Sequence, residues 1–146
     1  MEEHLMTGTA VVAGEAEGEA LVTTAPLSFW GGFDFRTGVI IDRHHPLAGV
    51  RAAGRILAVP FSKGSSTTTA VLPEAVRAGT APAAILTTGV DSFFALAAIV
   101  AGTMYGASFP VVALEQADFE TLVTGAHIRV ERNGRIHQTY GESDRP

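Results

Sequence analysis

The sequence predicts a single mixed α/β domain, built as β/β/α layers, in which an opening β-rich stretch is followed by strands alternating with two helices. Three observations carry that prediction. Short apolar runs rich in Val, Ile and Ala recur between clusters of Gly, Pro, Asp and Ser, the pattern of buried strands separated by turns. Two longer apolar segments, ending at Gly79 and Gly106, follow such strands and have the glycine stop of a helix. A chain of 146 residues with 47% hydrophobic and 17% charged residues has the length and the apolar content for one real core.

Met6 to Val12 and Glu19 to Thr24 mix β-branched and small residues on either side of the turn-forming Ala13-Gly14-Glu15-Ala16-Glu17-Gly18, which predicts a hairpin. Leu27 to Gly54 is dense in Gly, Pro and Asp and contains one short apolar run, Val39-Ile40-Ile41; it reads as structured loops around one strand. Arg55 to Pro60 is an apolar strand leading into Phe61-Ser62-Lys63-Gly64-Ser65-Ser66-Thr67-Thr68-Thr69 and then a helix with Gly79 as its C-cap. Ala83 to Thr87 repeats the strand, and Asp91 can cap a helix running to about Tyr105. In that helix Phe93, Phe94, Leu96, Ala97 and Val100 follow helical spacing and are expected in the core. Phe109 to Leu114 is a further strand, and Ala126 to Glu131 with Arg135 to Tyr140 flank Asn133-Gly134, a strong hairpin signal. Residues 1–146 are thus expected to form one domain with a core from about 6 to 140 and a polar tail, 141–146.

Composition narrows the chemistry. A net charge of −5 with no run of Lys or Arg argues against a nucleic-acid partner, since phosphate binding needs a positive stripe. The absence of cysteine removes disulfides and thiolate ligands, so an iron–sulfur cluster serving this protein must be held by another chain. No apolar run approaches the roughly 18 residues of a membrane span, and Met1-Glu2-Glu3-His4 is acidic where a secretory signal is basic, so a soluble cytoplasmic protein is expected.

The most informative stretch is Lys63-Gly64-Ser65-Ser66-Thr67, between a strand and a helix. Glycine permits a tight turn, and amides at a helix N-terminus attract an anion such as a carboxylate or an alkoxide. Serines and threonines at a helix start also serve simply as caps. The stretch is not a nucleotide P-loop, because Lys63 precedes the glycine.

Gly64-Ser65-Ser66 after a strand resembles the active-site turn of aconitase-superfamily swivelling domains. The wider set strengthens that likeness: Leu27-Ser28-Phe29-Trp30-Gly31-Gly32-Phe33-Asp34, Thr37-Gly38, Asp42, His45-Pro46, Gly49 and Gly54-Arg55-Ile56-Leu57 stand in the order seen in aconitase X small subunits. So do Ala81-Pro82-Ala83-Ala84-Ile85 and Ala97-Ala98-Ile99-Val100-Ala101. The resemblance runs from about Gly8 to Gly134. Thr67 departs from classical aconitases, which place an arginine after the serine pair to bind a substrate carboxylate, and so puts citrate-like substrates in doubt.

The resemblance implies a swivelling β/β/α domain like the C-terminal domain of aconitase, acting as the small subunit of a hydro-lyase. It implies Ser65 as the catalytic base, with Lys63, Gly64, Ser66 and Thr67 binding substrate. A large subunit would supply an iron or iron–sulfur centre, with no cofactor on this chain, and the chain alone would be inactive. Among aconitase X substrates, cis-3-hydroxy-L-proline is favoured over (R)-5-phosphomevalonate, because the chain is alanine-rich in the bacterial manner and has no basic cluster for a phosphate.

Other residues have plainer readings beside functional ones. His44-His45 lacks helical ligand spacing and precedes a proline, so loop shaping is expected before metal binding. Asp34 and Asp42 are turn formers that could also orient Lys63 or substrate. Trp30-Gly31-Gly32 could line a cleft or anchor a hydrophobic turn. Leu96-Ala97-Ala98-Ile99-Val100-Ala101 also resembles the phosphohistidine domain of phosphoenolpyruvate-using enzymes, but Leu96 stands where the phosphorylated histidine is needed. A third reading keeps the fold as a non-catalytic interaction module.

Overall fold

The computed structural model describes residues 2–29, 31–63 and 68–140. Its centre is a parallel ribbon in which the apolar end of β3 (Ala16–Val22) and the apolar runs β7 (Ile56–Ala58), β9 (Ala84–Thr88) and β10 (Val111–Leu114) pair in that order, all parallel. Such strands are covered on both faces, which is why they read as continuous apolar runs. Alternate residues serve two cores. Leu21, Leu57, Val59, Ile85 and Val111 point to the helical side, while Ala20, Ile56, Ala58, Ala84, Leu86 and Val112 point to the other.

The helical side is covered by α1 (Thr68–Ala78) and α2 (Ser92–Tyr105), which pack on each other and present Leu72, Ala75, Phe94, Ala97 and Ala98 to the sheet. Asp91 caps α2 by accepting from the Phe93 and Phe94 amides, and Gly106 ends it at φ 68°, as the sequence predicted. Gly79, just past α1, also has positive φ, at 77°. The loops from Leu27 to Gly54 contain three two-residue strands, β4 (Leu27–Ser28), β5 (Phe33–Asp34) and β6 (Val39–Ile40), where one strand was expected. They deliver Leu27, Phe29, Phe33 and Ile40 to the helical core, where the Phe29 ring meets those of Phe33 and Phe94.

The opposite core is closed by the antiparallel strands β1 (Glu2–Thr7), β11 (His127–Val130) and β12 (Arg135–Tyr140), with Phe119 from the short helix α3 (Gln116–Phe119) and Leu122 just beyond it. In β11 Ile128 and Val130 face inward while His127 and Arg129 are exposed, the alternation of a sheet with one wet face. Gln138 is buried there but satisfied, accepting from the Val123 amide at 2.8 Å and donating to the Thr121 carbonyl at 3.0 Å.

With β2 (Thr9–Val12) the sheet has eight strands, in the order β1-β12-β11-β3-β7-β9-β10-β2. Its two edge strands are consecutive in the chain, joined at Gly8, so the sheet is nearly closed. The Gly8 amide donates to the Gly134 carbonyl at 2.9 Å, and a Cβ on Gly8 would lie 2.7 Å from the Ala113 carbonyl oxygen. Only glycine fits that seam.

Two expectations are corrected. Met6–Val12 and Glu19–Thr24 do not form a hairpin: the first run divides at Gly8 into β1 and β2, which pair with β12 and β10, and β3 pairs with β11 and β7. The residues after β2 span from the sheet edge to its middle, a path that turn composition does not reveal. In α2, Phe94 and Ala97 are buried as predicted, but Phe93 and Leu96 are exposed and Val100 is half-buried. A helix apolar all round has no periodic signal to show which face meets the core.

Candidate functional site at the carboxyl edge of the sheet

Parallel strands place the loops that follow them along one edge, and in open α/β sheets that edge is where ligands bind. Here β3, β7, β9 and β10 send Thr23 to Ser28, Val59 to Lys63, Thr88 to Asp91 and Glu115 to the same edge. The path out of β7 is tightly held. The Val59 amide donates to the Leu86 carbonyl at 3.0 Å, and the Pro60 carbonyl accepts from both the amide and the hydroxyl of Thr88. The chain then forms β8 (Ser62–Lys63), which pairs in parallel with β4.

One carboxylate locks this segment to α2. Asp91 accepts from the Ser62 amide at 2.6 Å and the Ser62 hydroxyl at 3.0 Å, and the same side chain caps α2 at 3.0 and 3.1 Å. Sequence reading found the cap and missed the lock, because nothing local marks a bond between residues 29 positions apart. Lys63 ends β8 with an exposed side chain, and α1 begins at Thr68. The predicted site residues Gly64, Ser65, Ser66 and Thr67 lie outside the described residues, as does Trp30. What the structure positions is their frame: a clamped strand before them and the eleven residues of α1 after them. Thr68 is fully buried and its hydroxyl has no hydrogen-bond partner.

A cleft of about 230 Å³ opens at this edge, lined by Val22, Pro60, Thr88, Gln116, Phe119 and Glu120 among others. A larger one, about 350 Å³, lies at the amino end of β3 between Glu15, Glu17, Arg129 and Glu131, and so on the opposite edge. Beside it Glu131 bonds the half-buried His137 ring, whose hydrogen bond holds the Glu131 carboxyl below the usual carboxylate range.

The remaining candidates are occupied by their own loops. Asp34 accepts from the Arg36 amide at 2.9 Å and Asp42 from the His44 amide at 3.0 Å, both local turns. His45 is buried, with Nδ1 accepting from the Leu47 amide and Nε2 donating to the Ala25 carbonyl, which gives it the loop-shaping role; His44 is exposed. Among the described residues no three His, Cys, Asp or Glu side chains gather to hold a metal, and the chain has no cysteine. The donors among the described residues do not fit iron or a cluster. No helix among the described residues is long and apolar enough to cross a membrane.

A parallel ribbon inside a nearly closed sheet, with helices on one side and a clamped strand, β8, at the carboxyl edge, defines a swivelling domain. The aconitase X swivel domain family model matches residues 5–138, and the chain belongs to that family. It is 49% identical over 111 residues to the cis-3-hydroxy-L-proline dehydratase of Pseudomonas aeruginosa, a match covering 76% of this chain but only 19% of that protein. It is 38% identical to the phosphomevalonate dehydratase small subunit of Thermococcus gammatolerans, covering 86% of this chain and 89% of that subunit. The fold superposes on a chain of Thermococcus kodakaraensis aconitase X with a TM-score of 0.83 at 31% identity, covering 94% of this chain and 99% of that one. The relatives are thus named as dehydratases or dehydratase subunits.

Proposed function

We propose that this chain is the small subunit of an aconitase X-type hydro-lyase in the cytoplasm, and that Ser65 is its catalytic base. The observation that carries the reading is the frame around residues 64–67: family membership across 5–138, with β8 clamped by Asp91 on one side and the start of α1 on the other. In the reaction, a carbon-bound proton of the substrate passes to the Ser65 oxygen, its electron pair forms the new C=C bond as the neighbouring C–O bond breaks, and the hydroxide released takes up that proton from Ser65 to leave as water. A serine oxygen is a poor base unless its anion is stabilised. Amides at the start of α1, with Lys63 nearby, are suited to that, and Gly64, Ser66 and Thr67 would contact the substrate.

The metal centre belongs to a large subunit, which completes the active site; iron or an iron–sulfur cluster there is in keeping with a chain that has no cysteine and whose described residues gather no ligand set. The substrate favoured is cis-3-hydroxy-L-proline, supported by the 49% identity to an enzyme named for it. (R)-5-phosphomevalonate is the second reading, favoured by the separate small subunits that match this chain along most of their length. Assaying both substrates with the chain and its large subunit separates them.

The test of the base is Ser65→Ala beside Ser66→Ala. Loss of a positioned acid/base group lowers turnover by at least about a hundredfold, with little change in stability. Loss of a mere cap costs about 1 kcal/mol and leaves turnover per folded molecule near normal. A destabilised but fully active Ser65→Ala complex ends the catalytic-base assignment and leaves the non-catalytic module.

A further inference from the structure

Helix α2 carries no charged residue in its fourteen positions, SFFALAAIVAGTMY. Its inner face, Phe94, Ala97, Ala98 and Ala101, is buried. At 3.6 residues per turn Leu96 and Ile99 fall on the outer side with Phe93 at its margin, and Met104 lies on the last turn; all four are exposed. Val90 just before the helix and Phe61 just before β8 extend the apolar surface, and these six side chains are between 38% and 69% exposed. A helix apolar all round is one that is covered all round.

We infer that the outer face of α2, with Val90 and Phe61, is the surface on which the large subunit docks; the inference rests on the proposed dehydratase reading. Three features select that occupant. The surface begins at the rim of the candidate site: Phe61 leads into β8, and Asp91, next to Val90, is bonded to Ser62. Residues 64–67 follow β8 directly in the chain, so a partner that meets them also meets the Phe61 end of this surface. The same domain makes up only 19% of the Pseudomonas dehydratase, so there it is joined to a far larger body in the same chain. A second copy of this chain is disfavoured, because it brings another chain without cysteine where the proposed reading needs a body that holds the metal centre. In a chain of net charge −5, a contact face without charge also marks recognition by apolar burial and not by electrostatic steering.

The test compares the wild-type chain with Leu96→Glu and Ile99→Glu, mixed with the aconitase X large subunit encoded in the same genome, by calorimetry and by turnover. Both positions are outward, so the variants keep the wild-type circular dichroism and melting temperature. Affinity falls at least about a hundredfold in each, since a desolvated carboxylate opposes the contact, and turnover recovers as large subunit is raised. A third variant, Arg36→Glu, lies on an exposed loop off this face and binds as wild type. Wild-type binding matched within threefold by both glutamate variants overturns the docking surface and leaves the dehydratase reading intact. No binding and no turnover by the wild-type chain overturns that reading instead. A wild-type dimer in sedimentation that both variants dissociate assigns the face to a second copy and also overturns the inference.

Discussion

Replacing Asp91 with alanine removes a carboxylate that accepts four hydrogen bonds at once, from the Ser62 amide and hydroxyl and from the Phe93 and Phe94 amides. Loss of the helix cap costs about 1 kcal/mol. Each bond to a charged acceptor contributes about 1.5–3 kcal/mol, but the pair to Ser62 shares one carboxylate and does not add in full. The expected loss is about 3 kcal/mol, a fall of roughly 10 °C in melting temperature for a domain of this size. Asp91→Asn keeps one acceptor oxygen and should lose about half as much. Calorimetric unfolding measures the total, and amide exchange at Ser62, Phe93 and Phe94 shows where it is lost. Turnover with the large subunit should also fall by about tenfold or more, because the strand leading into residues 64–67 is released. An Asp91→Ala variant within about 1 kcal/mol of wild type, or one with unchanged protection of the Ser62 amide, refutes the lock.

Two further outcomes follow from geometry and charge. Gly134→Ala places a Cβ 2.5 Å from the Gly8 carbonyl oxygen at a φ of 92°, so a loss of more than about 2 kcal/mol is expected in urea unfolding; a neutral substitution would show that the seam yields. Glu131 has its carboxyl lowered by the His137 hydrogen bond, so its contribution is present above the unfolded glutamate value of about 4.3 and is lost as pH falls through the lower folded value. Melting curves of Glu131→Gln should therefore lie below wild type at pH 6 and converge with it in the acid range, and a constant gap down to pH 2 would contradict the assignment.

Much of the parallel core was legible because its residues repeat one local pattern. Ile56-Leu57-Ala58, Ala84-Ile85-Leu86 and Val111-Val112 are apolar on both faces, and Asp91, Gly79, Gly106 and Asn133-Gly134 act within a turn of their own positions. The closure of the sheet was not legible. It depends on Gly8 fitting against Gly134, residues whose meeting no local signal encodes, and the turn-rich 13–18 segment imitated a hairpin. Of the candidate site, the serine turn was visible as a motif, while the clamp on its leading strand was not, since Asp91 already had a sufficient local role as a cap. The outer face of α2 was misread for the converse reason: Phe93 and Leu96 satisfy the same apolar spacing as Phe94 and Ala97.

The pairing of β1 with β12 sets the order in which the domain can be made. Glu2 lies opposite Tyr140 and Thr7 opposite Arg135, so β1 pairs with a strand made more than a hundred residues later. At about 5–20 residues per second, β1 waits on the order of 10 s on the ribosome before β12 exists. The β11–β12 hairpin then forms in microseconds around Asn133-Gly134, and closure at Gly8 is left as the late, long-range step. Until it occurs β10 and β12 are open sheet edges, and there the unclosed sheet is most exposed to mispairing.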